Sequence, residues 1–439
     1  MPPNLNILIS GAGIAGPCLA WWLHHHFPTS TSITLVDRYP RPRTTGQAVD
    51  IRSTAVDVIR RMGLEPAIRA KTTTEEGLDF VYADGVNFAR FPASGDVESQ
   101  GFTSEFEILR GDLAGIFYEG TRGLEGVRYV FDEFVKEIVQ EEEKEGGGKV
   151  RVRFANGLSD EEFDLVVGAD GMISPTRRLV FGEGEDGKQY LKFLGQYLAY
   201  FTIPRVEAED SKFAQWYNAP KGRLIFIRPD QYGETRCYFG VTDTDKKRFE
   251  EIEKAMKEGK DAQQDWFEKE FEGAGFKAER LVREMRNSKD WYCQMIAQVK
   301  MEDFVKGRFA LLGDAGFCPS PISGMGTATA ITAAYLLAGE LSKISSTSDI
   351  PDALKNYQKA ARPFINQAQS LFPGTPQIAN PQTELGIKVF NTVTGITSST
   401  WSRKFGSLLG SLIPVSIAKK IQTLPDYEKV DEGVAMSSS

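Results

Sequence analysis

An α/β fold is predicted for this chain of 439 residues by three observations. A glycine fingerprint, Gly11-Ala12-Gly13-Ile14-Ala15-Gly16, sits between two strand-like runs near the start. Apolar runs ending in Gly168-Ala169-Asp170-Gly171 and in Gly313-Asp314 read as further buried strands. Between them, after about Gly187, the composition changes to aromatic strand-like segments, which predicts a second sheet.

The first element is the run Asn6 to Ser10, followed by a helix-like stretch from Pro17 to His26 and a second strand, Ile33–Val36, ending at Asp37. This is a βαβ unit with an acid about 20 residues beyond the glycines. Gly11 and Gly13 allow a tight turn and let a pyrophosphate reach backbone N–H groups at the helix N-terminus, and Gly16 lets helix and strand pack closely. Asp37 can accept hydrogen bonds from a ribose. A glycine-rich turn without a ligand is the bland alternative.

A helix is predicted from Ser53 to Gly63, with Val56, Ile59 and Met62 on one face. Strands follow at Leu78–Tyr82 and Val86–Phe91, joined by a turn at Ala83-Asp84-Gly85. Leu109–Leu113 opens another helix; Val127–Phe131 and Val135–Glu142 read as strands. A turn at Gly146-Gly147-Gly148 leads to Val150–Phe154, and Asn156-Gly157 is a hairpin signal. Phe163–Gly168 reads as one buried strand. In the second domain Leu191–Ile203, Arg223–Ile227 and Thr235–Val241 read as strands, then Lys246–Phe271 as a charged helical stretch. Phe309–Leu312 returns to the nucleotide fold, and Ala328–Ser342 is a buried helix rich in small residues.

Composition narrows the function. The net charge is −8 and no basic stripe occurs, which argues against a nucleic-acid partner. Cys18, Cys237, Cys293 and Cys318 are far apart, with no CxxC, and read as free thiols in a reducing compartment. With no signal peptide and no apolar run of about 18 residues, a cytoplasmic protein without a transmembrane segment is expected. The three histidines are His24, His25 and His26, at the end of the first helix. Adjacent helical residues do not share a face, so no metal site is expected, and a partial charge there suits a helix C-terminus. A histidine-based catalytic triad is disfavoured for the same reason.

Three motifs in order carry a family resemblance: the first glycines with Asp37; Asp164-Leu-Val-Val-Gly-Ala-Asp170-Gly171, with Ser174 and Arg177 following; and Gly307-Arg-Phe-Ala-Leu-Leu-Gly313-Asp314, with Pro321-Ile-Ser-Gly324-Met325-Gly326 after it. The set resembles the single-component FAD-dependent aromatic hydroxylases, the group of para-hydroxybenzoate hydroxylase and the tetracycline-inactivating monooxygenases, over residues 1 to about 375. The resemblance implies a Rossmann-like FAD-binding domain (1–75, 109–186 and 297–372) with an inserted sheet-containing substrate domain (76–108 and 187–296). C-terminal helices (373–425) and a disordered tail (426–439) complete the expected organisation.

The resemblance also assigns roles. Asp314 would hold the ribityl chain of non-covalent FAD, although an N-cap aspartate is the local alternative. Gly324, Met325 and Gly326 open a helix whose N–H groups suit the anion of reduced flavin, with Pro321 packed on the ring. Asp170 and Gly171 would touch FAD and serve the nicotinamide cofactor. Arg110 would lie near the FAD phosphates and ribityl chain. Gln47, Asp50 and Arg52 are candidates for the active-site wall, and no residue is singled out as catalytic. Two positions depart from the family: Phe317 stands where histidine is frequent and Ala328 where asparagine is.

The implied function is a monooxygenase of secondary metabolism. NADPH, as transient reductant, would reduce FAD, and O2 would be activated as a flavin C4a-hydroperoxide. One oxygen atom would pass to an electron-rich aromatic, polyketide-like or alkaloid-like small molecule. A flavin-dependent oxidase or reductase on the same fold and a non-catalytic flavin-binding protein are the alternatives. The WxWxI pattern of the flavin-dependent halogenases does not occur.

Overall fold

The computed structural model describes residues 3–93, 105–140, 148–182, 184, 188–398 and 423–427. The chain begins with β1 (Leu5–Ser10), α1 (Ala15–His26) and β2 (Thr31–Asp37), then β3 (Ala48–Asp50), α2 (Thr54–Arg61) and α3 (Glu65–Arg69). The hairpin strands β4 (Gly77–Val81) and β5 (Asn87–Pro92) precede β6 (Glu107–Leu109), α4 (Arg110–Glu119) and β7 (Val127–Phe131). Next come β8 (Val135–Gln140), β9 (Val150–Phe154), β10 (Glu161–Phe163), β11 (Leu165–Gly168) and α5 (Pro175–Phe181). The long strands β12 (Leu191–Pro204), β13 (Ala214–Ala219), β14 (Arg223–Pro229) and β15 (Glu234–Thr242) lead into α6 (Lys246–Glu258), α7 (Lys260–Phe271) and α8 (Ala278–Met285). The described part closes with β16 (Tyr292–Val299), β17 (Val305–Lys306), β18 (Phe309–Leu311), α9 (Asp314–Phe317), α10 (Gly326–Leu341), α11 (Ile350–Ala368), α12 (Thr375–Ala379) and α13 (Glu384–Ser398).

Two large sheets organise these elements. The first has the order β17-β18-β11-β1-β2-β7, parallel except at β17. Its central strands carry buried apolar runs, Ile7–Ile9 in β1, Leu35–Val36 in β2 and Leu165–Val167 in β11, as a sheet covered on both faces requires. Gly11 and Gly16 permit the close approach of β1, α1 and the turn after β11. A Cβ on Gly16 would stand 2.0 Å from the Gly11 carbonyl oxygen, and one on Gly11 2.3 Å from that of Ala169. Helix α10 is buried from Ala328 to Leu341, which explains its small, apolar composition all round.

The second sheet has the order β16-β12-β15-β14-β13-β4-β5. Period-2 alternation divides its faces. Tyr197, Ala199 and Phe201 of β12 pack with α6, α7 and α8, whereas Leu198 and Tyr200 turn to the opposite face. β16 runs through residues 296 and 297, where a domain boundary was expected.

Several sequence expectations need correction. Phe163–Gly168 is not one strand. It breaks at Asp164, whose Oδ2 accepts from the Asn6 N–H at 2.8 Å. Phe163 thereby closes the small β10-β9-β8 sheet, and Leu165–Gly168 enters the large one. Lys246–Phe271 is two helices, split at Gly259 with φ +107°. His26 is not a charged C-terminal residue: burial and neighbouring His25 push it down to about 4, so it is neutral at pH 7. At the start of the tail expected to be disordered from residue 426, Tyr427 is docked, as is Pro425 just before it. Tyr427 donates to Glu340 Oε1 at 2.7 Å, and Tyr335 donates to the Pro425 carbonyl at 2.8 Å. The Gly146–Gly147 turn, the helical pattern over 399–420 and the tail beyond Tyr427 lie outside the described residues.

Candidate active site

A single cavity of about 1220 Å³ runs from the glycine fingerprint to the inner face of the second sheet. At one end Gly11 and Gly13 open α1, which has no acidic residue in its first turn. The Asp37 carboxylate accepts from the Ala12 N–H at 2.8 Å and from the Tyr39 N–H at 3.0 Å, so it pins the glycine loop while lining the cavity. Arg38, Arg43 and Arg110 also line this end. The Arg43 guanidinium lies over the Tyr39 ring at 3.7 Å. Burial, together with the charges of Arg110 and Arg38, pulls Arg43 below the ordinary arginine range, against the opposite pull of Tyr39 and Asp37. An anion placed here would relieve that repulsion.

The middle of the cavity is built from the turns after β11 and β18. Asp170 lines it, but its carboxylate is already engaged. It accepts from the Thr176 N–H at 3.0 Å, from Thr176 Oγ1 at 2.9 Å and from Ser174 Oγ, all at the start of α5. Burial raises its pKa against these bonds. Arg177 does not line the cavity. Its guanidinium donates to the carbonyls of Ala315 at 2.7 Å and Met172 at 2.9 Å, so it staples the second motif to the third. Both residues thus brace these turns, Asp170 while lining the cavity, and Gly171 is the open position beside them, where a Cβ would meet nothing within 4 Å.

Asp314 faces the cavity with the buried Cys318 thiol beside it, and burial followed by this carboxylate pushes that thiol well up. The loop from Ser320 to Gly326 crosses from Asp314 toward Asp50: a Cβ on Gly326 would lie 3.7 Å from Asp314 Oδ1, and one on Gly324 3.6 Å from Asp50 Oδ2. Pro321, Gly324 and Gly326 line the cavity; Gly16, Gly313 and Met325 do not. The Met325 N–H is taken by Ser323 Oγ at 3.1 Å, and Gly313 serves through its φ of +64°. Helix α10, like α1, has no acid in its first turn. Two helix N-termini free of first-turn acids therefore border one cavity, an arrangement that favours anionic groups.

The far end is aromatic. Tyr200 and Tyr292 stack with centroids 4.5 Å apart, Tyr238 meets Tyr200 at 5.1 Å and Phe226 at 5.0 Å, and Trp216 meets Phe226 at 5.5 Å. Burial raises the pKa of all three tyrosines, which keeps their hydroxyls neutral. Phe226, Arg228 and Tyr238 share the cavity face, as strand alternation predicts.

Gln47, Asp50 and Arg52 line the same end. Gln47 is 5% exposed, and neither atom of its side-chain amide has a partner among the described residues. Buried polar atoms are normally satisfied, and this amide faces the cavity, where a ligand would supply its partners. Asp50 pairs with Arg52 at 3.1 Å. Opposite it on the β3–β6 ladder stands Glu107, which pairs with Arg228 at 2.6 Å; Arg228 also pairs with Glu75. Glu75, Glu107, Tyr292 and Gln294 escape the sequence reading. Strands β3 and β6 have three residues each, too few for a period to show, and the available signal was a lone acid inside the run Phe106-Glu107-Ile108-Leu109.

The cavity suits a flavin dinucleotide: a glycine cradle, arginines at one end, a carboxylate at mid-length, and amide donors before an aromatic chamber. Comparison with known proteins agrees. Residues 4–371 match the FAD binding domain family. The flavin-dependent monooxygenase eupH of Phoma sp is 34% identical over 446 residues, covering 97% of this chain and 98% of that protein. The FAD-dependent monooxygenase asL6 of Sarocladium schorii is 34% identical over 445 residues, covering 98% and 99%. Among solved structures, tetracycline destructase Tet(51) superposes with a TM-score of 0.71 at 28% identity, covering 97% of this chain and all of that one.

Proposed function

The chain belongs to the FAD-binding-domain family and is a flavin-dependent monooxygenase, and from that premise we propose that it uses NADPH and O2 to insert one oxygen atom into an electron-rich, hydroxyl-bearing small molecule of several rings. The observation that carries this reading is the continuity of the cavity from the Gly11–Gly13 cradle to the aromatic chamber. Bound FAD supplies the activation of oxygen; the protein's part is to bind, orient and exclude water.

Gly11, Gly13 and Asp37 would hold the adenosine and pyrophosphate portion, with Arg43 and Arg110 neutralising charge. Asp314 would bind the ribityl hydroxyls, and the Gly324 and Gly326 amides would face the flavin ring. The substrate would lie between that ring and the wall of Tyr200, Phe226 and Tyr238. This division makes the first sheet the cofactor-binding part and the second, with β4 and β5, the substrate-binding part. The likeness to a tetracycline destructase fits a multi-ring substrate, as does the aromatic lining of the chamber. Small-molecule sites of this kind are mostly apolar with a few placed polar groups.

Two measurements test the proposal. Acid precipitation should release one FAD per chain into the supernatant, because Cys318, the cysteine that lines the cavity, is buried and held in its neutral form. Incubation with isotopically labelled O2, NADPH and a panel of polyhydroxylated aromatics should place one labelled atom in the product. NADPH oxidised only to hydrogen peroxide across the panel would move the reading to an oxidase.

A further inference from the structure

At the wall of the chamber, next to the loop that carries Gly324, is a cluster of five charged side chains drawn from four segments. Asp50 (β3) and Glu107 (β6) are directly opposed in the ladder. Arg52 pairs with Asp50, and Arg228 (β14) pairs with both Glu107 and Glu75. Glu75, Glu107, Arg52 and Arg228 are each more than nine-tenths buried. Tyr238 and Tyr292 complete the surroundings with neutral hydroxyls.

Three carboxyl groups thus share two guanidinium groups. A buried cluster with an unmatched charge is costly, and the cheapest remedy is to retain a proton on one carboxyl. Glu75 and Glu107 share one guanidinium, and Glu107 alone also opposes a second carboxylate. Directly opposed strand residues have their Cβ atoms about 5 Å apart. We propose that Glu107 and Asp50 together hold one exchangeable proton at the chamber wall and pass it to or from a hydroxyl of the substrate. Burial, then the charge of Asp50, act against ionisation of Glu107, consistent with the proton resting there. Asp50 Oδ2 lies beside the Gly324 position, and both carboxyls line the cavity, so the pair borders the reacting region.

In the exchange, the ionised carboxylate takes the proton of the substrate hydroxyl and leaves the electron pair on that oxygen, which enriches the ring. The neutral carboxyl gives its own proton to a second oxygen, that of the hydroxide leaving the reaction, which becomes water. Two O–H bonds break, those of the substrate hydroxyl and of the neutral carboxyl, and two form, on the ionised carboxylate and on the departing hydroxide, so the pair ends with one proton, as it began. This role rests on the oxygen-insertion reading above, but the proton can be sought without turnover.

Infrared spectra of the FAD-loaded protein at neutral pH should contain a carboxylic-acid C=O band that shifts down in D2O. The band should vanish in Glu107→Gln. It should also vanish in Asp50→Asn, in which Glu107 is intact but charges balance, and Glu107→Asp should restore it. Addition of 4-nitrophenol, a hydroxyl-bearing probe, should shift the band in the wild type. A wild-type spectrum without the band, a band unmoved in both variants, or one insensitive to 4-nitrophenol would overturn the proposal. Should Glu107→Gln fail to retain flavin, the isosteric Asp50→Asn decides alone. A missing band leaves labelled-oxygen insertion standing, and a missing labelled product leaves the shared proton standing.

Discussion

The Arg177 guanidinium donates to the Ala315 carbonyl at 2.7 Å and thereby fastens the turn of Asp170 to the turn of Asp314. The two turns are 144 residues apart in sequence but border the same cavity. Arg177→Met should lower unfolding free energy by about 3 kcal/mol, since it removes two buried charge-assisted bonds and leaves carbonyls unpaired. Urea unfolding of the FAD-free protein is the check. A loss confined to the NADPH reduction rate, with stability unchanged, would restore a nicotinamide-contact role.

Asp314 and Asp170 should separate cleanly. Asp314→Ala should weaken FAD by about 1.5–3 kcal/mol, roughly ten- to a hundredfold in Kd, through lost bonds to ribityl hydroxyls. Asp170→Asn should act mainly on stability, because its acceptors already serve the start of α5. Flavin titration monitored by fluorescence, alongside melting curves, would distinguish them; equal FAD affinity in wild type and Asp314→Ala would remove the ribityl assignment.

Gln47→Leu should have opposite effects with and without ligands. The unpartnered amide is a burden on the empty protein, so the variant should gain up to about 1 kcal/mol in ligand-free stability. The same change should weaken flavin or substrate by about 1–3 kcal/mol, as a lost ligand contact requires. A variant less stable when empty and unaltered in binding would show that the amide has a protein partner.

Acid should act on the second sheet through Asp210. Burial alone would raise this carboxyl, but the Arg280 bond, the Val206 N–H and Lys277 outweigh it and hold it at about 2, against 3.8 unperturbed. A depressed carboxyl contributes stability above its unfolded pKa and loses it as pH falls through the folded one. The contribution is about 2 kcal/mol, from 1.36 kcal/mol per unit. Unfolding free energies should therefore drop between pH 4 and pH 2 more steeply in wild type than in Asp210→Asn. Parallel curves would contradict the assignment.

What could be read in advance followed from how far each signal depends on distant residues. The glycine fingerprint, Asp37 and the hairpin through Asp84-Gly85 are local patterns with local consequences, and they stand where the sequence places them. Long alternating strands such as β12 and β15 were equally legible. The bonds of Asp170 to Thr176 and Ser174 were not legible, because a carboxylate's partners are chosen by tertiary approach. The break at Gly259 hid inside a charged helical pattern because a lone glycine is tolerated in helices. The Asp50–Glu107 pairing depends on two three-residue strands more than 50 positions apart, which carry no period to detect.

The parallel ladder that aligns Ile9 with Val167, and Val167 with Ala310, has a consequence for biogenesis. A ribosome has exposed the N-terminal strand long before the strand that completes its sheet is made. Contacts so distant along the chain close slowly, and uncovered apolar edges invite aggregation until they do. Flavin capture must therefore follow synthesis of nearly the whole chain, because the strand that carries the Asp314 turn is among the last of its sheet to be made.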